Sequence, residues 1–284
     1  MSQIPIEVVQ LISKFCAILY PSESRRSVLT VSRAFFEWVA PVVFASVTIN
    51  SRNLQRLVDL AELYHEESIC ARHVTTLVVP VQLMMEDLGL FTRARPPPLG
   101  RFTNINTFVG SIEALLQMVT NGGPFKLTRL YIRGRSYDPS DSIPLLHVLN
   151  GPWSLVSWSI TSVTRLRISH PIDEVLAIVQ ALPKVFNITY DPLVVDFPPK
   201  YFVEGIQELL RRAATIGRLK IVIRREAMIG MDNQRLSRQI ALFELLKEVV
   251  GRNDARLFLV QTSEDIQDQS NWKVPELQDV WEPV

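Results

Sequence analysis

Between Ile4 and Leu19 the chain sets Val8, Leu11, Ile12, Phe15 and Leu19 three and four positions apart, the period of one face of an α-helix. Pro5 stands at the start, where a missing backbone donor costs nothing. A Pro/Ser turn over Tyr20 to Glu23 follows. Val28, Leu29, Val31, Phe35, Trp38 and Val39 then repeat the helical spacing until Pro41 interrupts it. Together these segments predict a helical hairpin.

Beyond it the pattern changes to short β-rich runs punctuated by helical ones. Ala45 to Ile49, Val74 to Val79, Leu127 to Ile132, Val163 to Ile168, Val185 to Tyr190 and Leu219 to Ile223 read as strands. Helical spacing returns at Leu54, Leu57, Val58, Ala61 and Leu63. It recurs at Ser111 to Val119, Asp173 to Leu182 with Asp173 as N-cap, Tyr201 to Ala214 and Leu236 to Val250. Arg93 to Thr107, with its Pro96-Pro97-Pro98 run, reads as a surface loop. Thr262 to Val284 reads as an acidic, poorly packed tail in which Trp272 and Trp281 serve either as a clamp on the last repeat or as a linear binding motif.

Three strands share one shape: Val74-Thr75-Thr76-Leu77-Val78-Val79, Leu127-Thr128-Arg129-Leu130-Tyr131-Ile132 and Val163-Thr164-Arg165-Leu166-Arg167-Ile168. Leu77, Leu130 and Leu166 are equivalent in it, with Ile188 and Ile221 continuing the series at unequal intervals, so the repeat is degenerate. One strand and one helix per unit, neither able to bury its apolar face alone, is the logic of a leucine-rich-repeat-like solenoid with a parallel sheet and outer helices. An ordinary doubly wound α/β domain is the other reading. It leads one to expect a glycine-rich phosphate turn after the first strand, and Gly122-Gly123-Pro124, which precedes a strand, is only a turn. The expected organisation is an α/β protein with a helical module at 1–49, an irregular repeat domain at 50–261 and a tail at 262–284.

With 284 residues, 47% of them hydrophobic and 21% charged, the chain is long and apolar enough for a sizeable core. A formal net charge of +1 gives no global pull toward nucleic acid or anionic lipid, so recognition must come from local patches. The two cysteines, Cys16 and Cys70, lie in apolar helical stretches and imply packed, reduced thiols rather than a disulfide framework. Glu7 and Lys14 break what a secretory leader would need, and no apolar run reaches membrane-spanning length. A cytoplasmic or nuclear protein is expected.

Ile4-Pro5-Ile6-Glu7-Val8-Val9-Gln10-Leu11-Ile12, Val28-Leu29-Thr30-Val31-Ser32-Arg33-Ala34-Phe35 and Pro41-Val42-Val43-Phe44-Ala45-Ser46-Val47-Thr48-Ile49, in that order and spacing, resemble the three pieces of an F-box. The whole chain is similar in architecture to the F-box proteins numerous in mushroom-forming fungi, in which such a start runs into degenerate leucine-rich repeats. The resemblance implies that the hairpin docks onto a Skp-type adaptor, and through it a cullin, by way of Ile4, Pro5, Val8, Val9, Leu11 and Ile12, with Val28, Val31 and Phe35 from the second helix. Ile4 stands where the family usually has Leu, and Ser32-Arg33 where it has Cys-Arg. Physically, a hairpin apolar on more than one face needs a further surface, which is either such a partner or the chain's own repeats.

Strand alternation directs Leu130 and Ile132 to the core and Arg129, Tyr131 and Arg133 to the opposite face. Arg165 and Arg167 follow suit, as do Lys220 and Arg224, and together they form a basic strip diluted by Thr76, Asn187 and Thr189. Such a strip fits an acidic or phosphorylated segment of a target protein. A merely solvated charged face is the plainer alternative, and nucleic acid is a weaker one because no aromatics are interleaved as a stacking platform.

His65, Cys70 and His73 are the one close grouping of soft ligands, and they lack the spacing of a metal site. No Walker loop, nucleophile elbow, His-Glu-x-x-His or dinucleotide fingerprint is present, and no cofactor is implied. The leading reading is therefore a non-enzymatic substrate receptor of an SCF-type ubiquitin ligase. A repeat scaffold with no ligase link comes second and an α/β enzyme with an unrecognised site third.

Overall fold

The computed structural model describes residues 5–19, 32–49, 73–79, 104–112, 114–115, 126–133, 160–192, 199–213, 215–224, 237, 241–242, 244–248 and 254–262. Eight parallel strands form one sheet: β1 (Ser46–Thr48), β2 (Thr76–Val78), β3 (Thr107–Gly110), β4 (Arg129–Arg133), β5 (Arg165–Ser169), β6 (Asn187–Tyr190), β7 (Arg218–Arg224) and β8 (Leu257–Thr262). Their order in space is their order in the chain. A doubly wound sheet reverses direction at a switch point and carries helices on both faces; this one does neither among the described residues. The α/β architecture is thus that of a one-way, solenoid-like array.

Every strand contributes one residue to an inward row: Val47, Leu77, Phe108, Leu130, Leu166, Ile188, Leu219 and Leu257 are successive register partners. The helices lie against this row. α3 (Ile172–Gln180) brings Ile172, Val175 and Ile178, α4 (Pro199–Arg212) brings Phe202, Ile206 and Leu209, and helical Leu242 and Leu246 add to the same buried cluster. Gly205 lets α4 approach α3 closely, since a Cβ there would lie 2.5 Å from Ile172 Cγ1.

The recurring threonine of the repeat has a local job. Thr75, Thr128 and Thr164 each donate their hydroxyl to a carbonyl of the preceding unit, on Ala45, Asn106 and Thr128, at 3.2, 3.3 and 3.4 Å. The same carbonyls accept two backbone N–H groups as each strand begins. The hydroxyls therefore help lock the entry of one strand against the last, which fixes register where one face is buried.

β3 and β8 were not expected. β3 falls in the widest gap of the predicted series, between Leu77 and Leu130, and begins at the end of the segment read as a surface loop. Its Phe108 replaces the leucine and its Gly110 the aliphatic residue two positions on; a Cβ on Gly110 would stand 2.9 Å from Phe108 Cζ. Volume is conserved across two positions rather than one, which hides the repeat. The series is also corrected at its end, because Leu219 and not Ile221 partners Ile188, while Ile221 partners Tyr190. Slipping by two keeps the face but shifts the row.

At the N-terminus α1 (Ile6–Leu19) packs on α2 (Arg33–Val43). Ser32 caps α2, its hydroxyl accepting from the Phe35 N–H at 3.3 Å. Pro41 lies inside α2, within two residues of its end, rather than interrupting it, and costs only one backbone bond there. Asp173 is not an N-cap: Pro171 occupies that position, and Asp173 sits in the first turn of α3, where it accepts from the Tyr201 hydroxyl and ties α4 to α3. The predicted helix at Leu54 to Leu63 and the tail beyond Thr262 lie outside the described residues.

Tyr190 stacks on Phe202, with ring centroids 5.5 Å apart, and donates its hydroxyl to the His170 carbonyl at 2.9 Å. Burial first, then the carboxylates of Asp173, Glu174 and Asp191, push its phenol well above the ordinary tyrosine range. A raised folded value makes stability fully present below the unfolded pKa of about 10 and progressively lost above it. Tyr190→Phe should therefore flatten the alkaline limb of the stability profile, measured as denaturation midpoints between pH 8 and 11 in wild type and variant. Parallel limbs would contradict it.

Candidate functional site

Two surfaces are candidates, one on the hairpin and one on the sheet. The hairpin's contact is built from small residues of α1. Ala17 clusters with Val39 and Val43 of α2, with Trp38, Val42 and Phe44 at the margin, and Ser13, four residues earlier on the same helix face, is buried as well. Ser13 satisfies its hydroxyl on the Val9 carbonyl at 2.7 Å. The large apolar residues of α1 consequently point away: Leu11, Ile12 and Phe15 are 56%, 54% and 56% exposed, with Ile6, Val8, Ile18 and Leu19 beside them. Contiguous apolar surface of this kind marks an interaction site.

Of the residues assigned to adaptor docking, Val8, Leu11 and Ile12 lie on this exposed stripe, Pro5 is exposed at the start of α1, and Val9 is half-buried. Phe35 is half-buried and tilted against Trp38, with centroids 5.2 Å apart. Ile4, Val28 and Val31 fall outside the described residues. Phe15, Ile18 and Leu19 were not assigned, although helical spacing from Leu11 and Ile12 leads directly to them.

The sheet face away from the helices carries two rows. The first, at the strand starts, runs Ser46, Thr76, Thr107, Arg129, Arg165, Asn187, Arg218 in direct register. The second runs Thr48, Val78, Val109, Tyr131, Arg167, Thr189, Lys220, Phe258. Arg129, Tyr131, Arg165, Arg167 and Lys220 of the predicted strip hold positions in these two rows. Exposure is another matter.

The middle of the second row is buried. Tyr131 clusters with Val78 and Val109 at 2% exposure, and Arg167, 8% exposed, lies 4.9 Å from the Tyr131 ring centroid and pairs with Asp191 at 2.9 Å. Tyr131 and Arg167 are therefore corrected from open target-binding groups to parts of a buried assembly: a desolvated guanidinium requires a carboxylate, and Asp191, 1% exposed, supplies it. Lys220 is half-buried beside Phe258. Arg133 and Arg224 hold register positions in β4 and β7, and their side chains lie outside the description.

The first row differs. Arg129 and Arg165 are half-buried neighbours with no carboxylate paired to either among the described residues. Burial, and then the adjacent Arg165 charge, hold Arg129 below the ordinary arginine value. Arg218 is half-buried, its guanidinium carbon 4.6 Å from the Phe258 ring centroid and its Nε buried without a hydrogen-bond partner. The next arginine along, Arg256, is already engaged by Asp254 and the Leu210 carbonyl. Sequence reasoning missed Arg218 because the row was aligned on Ile221. Its signal is the dipeptide Arg-Leu, which opens β4, β5 and β7 and recurs as Arg256-Leu257 at β8.

Among the described residues no His, Cys, Asp and Glu come together as a metal centre, and no helix is long and apolar enough to cross a membrane. His65 and Cys70 lie outside the description. His170 meets Glu174 through Nδ1 at 2.7 Å, at the start of α3. Comparison with protein-family models, with curated protein sequences and with solved structures returns no match.

Proposed function

We propose that this chain is a substrate receptor of an SCF-type ubiquitin ligase, with an F-box-like hairpin that holds a Skp-type adaptor and a leucine-rich-repeat-like array that holds a target protein. The observation that carries the reading is the outward apolar stripe of α1. A helix that buries Ser13 and Ala17 and turns Leu11, Ile12 and Phe15 to solvent is arranged for helix-in-groove docking. Fully burying each such side chain is worth about 1.5–3 kcal/mol, so even partial coverage of several supplies a stable contact.

The array supports the second half of the reading. One strand per unit, stacked in chain order with helices on one side among the described residues, leaves the strand-start row of the other side, with half-buried Arg129, Arg165, Asn187 and Arg218, as the surface open to a target. The chain then contributes proximity rather than chemistry: it raises the local concentration of a target beside a ubiquitin-charged enzyme held by the cullin.

Coexpression of the full chain with a Skp-type adaptor is the test. The pair should copurify, and Leu11→Asp should reduce capture at least about tenfold while leaving the denaturation midpoint nearly unchanged, as for a surface position. If the intact, folded chain does not retain the adaptor, the ligase link is wrong and only a protein-binding scaffold remains.

A further inference from the structure

Charge is divided unequally along the chain. Residues 263–284 hold six carboxylates, on Glu264, Asp265, Asp268, Glu276, Asp279 and Glu282, against one base, Lys273. Their formal charge of −5 leaves +6 on the rest of a chain whose total is +1. Trp272 and Trp281 lie among those carboxylates, nine residues apart. A segment of this composition is matched by a cationic surface with an apolar contact in it.

The last two strands offer one. Phe258 of β8 is 39% exposed, with Lys220 as its register partner and the Arg218 guanidinium carbon 4.6 Å from its ring centroid. Arg218 keeps a buried Nε without a hydrogen-bond partner. Among the described residues nothing pairs with the outer edge of β8, and Leu257–Thr262 holds no charge or proline to discourage a contact there. A stacked array needs its last unit covered. The acidic segment follows Thr262 directly, and Phe258 lies four residues back, about 13 Å along the strand. From Thr262 to Trp272 the chain spans up to about 33 Å when extended, enough to turn and bring the indole to Phe258. We infer that residues 263–284 fold back on the β7–β8 end of the sheet, with Trp272 against Phe258 and acidic side chains against Arg218. Tethering favours this occupant over a second copy, because a short flexible link holds the segment at an effective concentration on the order of millimolar. A target reaching that end of the strand-start row must displace it.

The test uses the full chain labelled with fluorotryptophan, without adaptor, followed by fluorine NMR, with Trp272→Phe identifying the resonance of interest. In dilute salt the Trp272 signal should be displaced from the position of the free amino acid and as broad as those of the folded domain. Raising salt from about 0.1 to 1 M, which shortens the Debye length from about 10 to 3 Å, should increase the undocked fraction. Phe258→Ser should raise that fraction at least about tenfold, as for an aromatic anchor. Arg218→Gln should raise it about threefold and blunt the response to salt, whereas Arg211→Gln on the exposed side of α4 should do neither. Either of the first two variants suffices if the other fails to fold.

A Trp272 signal at the free position in the folded wild-type chain, or a docked signal that a folded Phe258 or Arg218 variant leaves unmoved, would overturn the inference. So would docking that appears only as the chain is concentrated, which would place the segment on a second copy. Because neither adaptor nor target is present, this contact and the ligase reading fail or succeed separately.

Discussion

Asp191→Ala should cost about 3–5 kcal/mol of unfolding free energy, among the largest effects of any single substitution in the chain. The carboxylate it removes is 1% exposed and lies 2.9 Å from the guanidinium of Arg167, which is nearly as buried and packed over Tyr131. Without Asp191 the charge on Arg167 stays in a desolvated place. The cost is that stranded charge more than the attraction lost. A double variant, Arg167→Met with Asp191→Leu, should therefore recover most of the loss. Urea denaturation of wild type and the two variants checks this: a loss under about 1 kcal/mol for Asp191→Ala, or a double variant no better than the single, would contradict a buried ion pair at this position.

Leu130→Ala should cost about 2–5 kcal/mol. Leu130 is fully buried in the inward row, between Phe108 and Leu166 in register, so neither neighbour can move into the space without disturbing its own strand. In a stacked array each unit rests only on the next, and a cavity in β4 weakens the junction between the two halves. The readout is again the denaturation midpoint, with the broader transition that follows when such an array loses cooperativity. Leu11→Ala on α1, which removes the same atoms from an exposed position, is the matched control and should cost less than about 0.5 kcal/mol.

These two variants mark the difference between what periodicity shows and what it leaves open. The inward row was legible at Leu77, Leu130 and Leu166, because a leucine flanked by alternating residues and preceded two positions earlier by a hydrogen-bonding threonine is a local signal, and at Ile188 from the β-rich run alone. It was illegible at Phe108, where bulk moved from one position to its neighbour but one and left Gly110 where an aliphatic residue was sought. It was also illegible at Leu219, where several aliphatic residues in a row allowed a slip of two positions that alternation cannot detect.

The outer face was legible as a direction only. A period of two says that Tyr131 and Arg167 share a side with Arg129 and Arg165; it is silent on what covers them. Hence an apparently continuous basic strip divides into a buried Tyr131–Arg167–Asp191 assembly and a half-buried arginine row. On α1 the helical stripe was legible too, but not its sense. Burial of the small Ser13 and Ala17 is invisible to hydrophobicity, and it is what turns the large side chains outward.

Calorimetric titration of a purified Skp-type adaptor into the full chain tests the central claim most directly. The account predicts saturation at one adaptor per chain, with a heat-capacity change that is negative because the apolar stripe of α1 leaves water, and with both features abolished by Leu11→Asp. No binding by a chain shown to be folded, or binding that Leu11→Asp leaves intact, would contradict it.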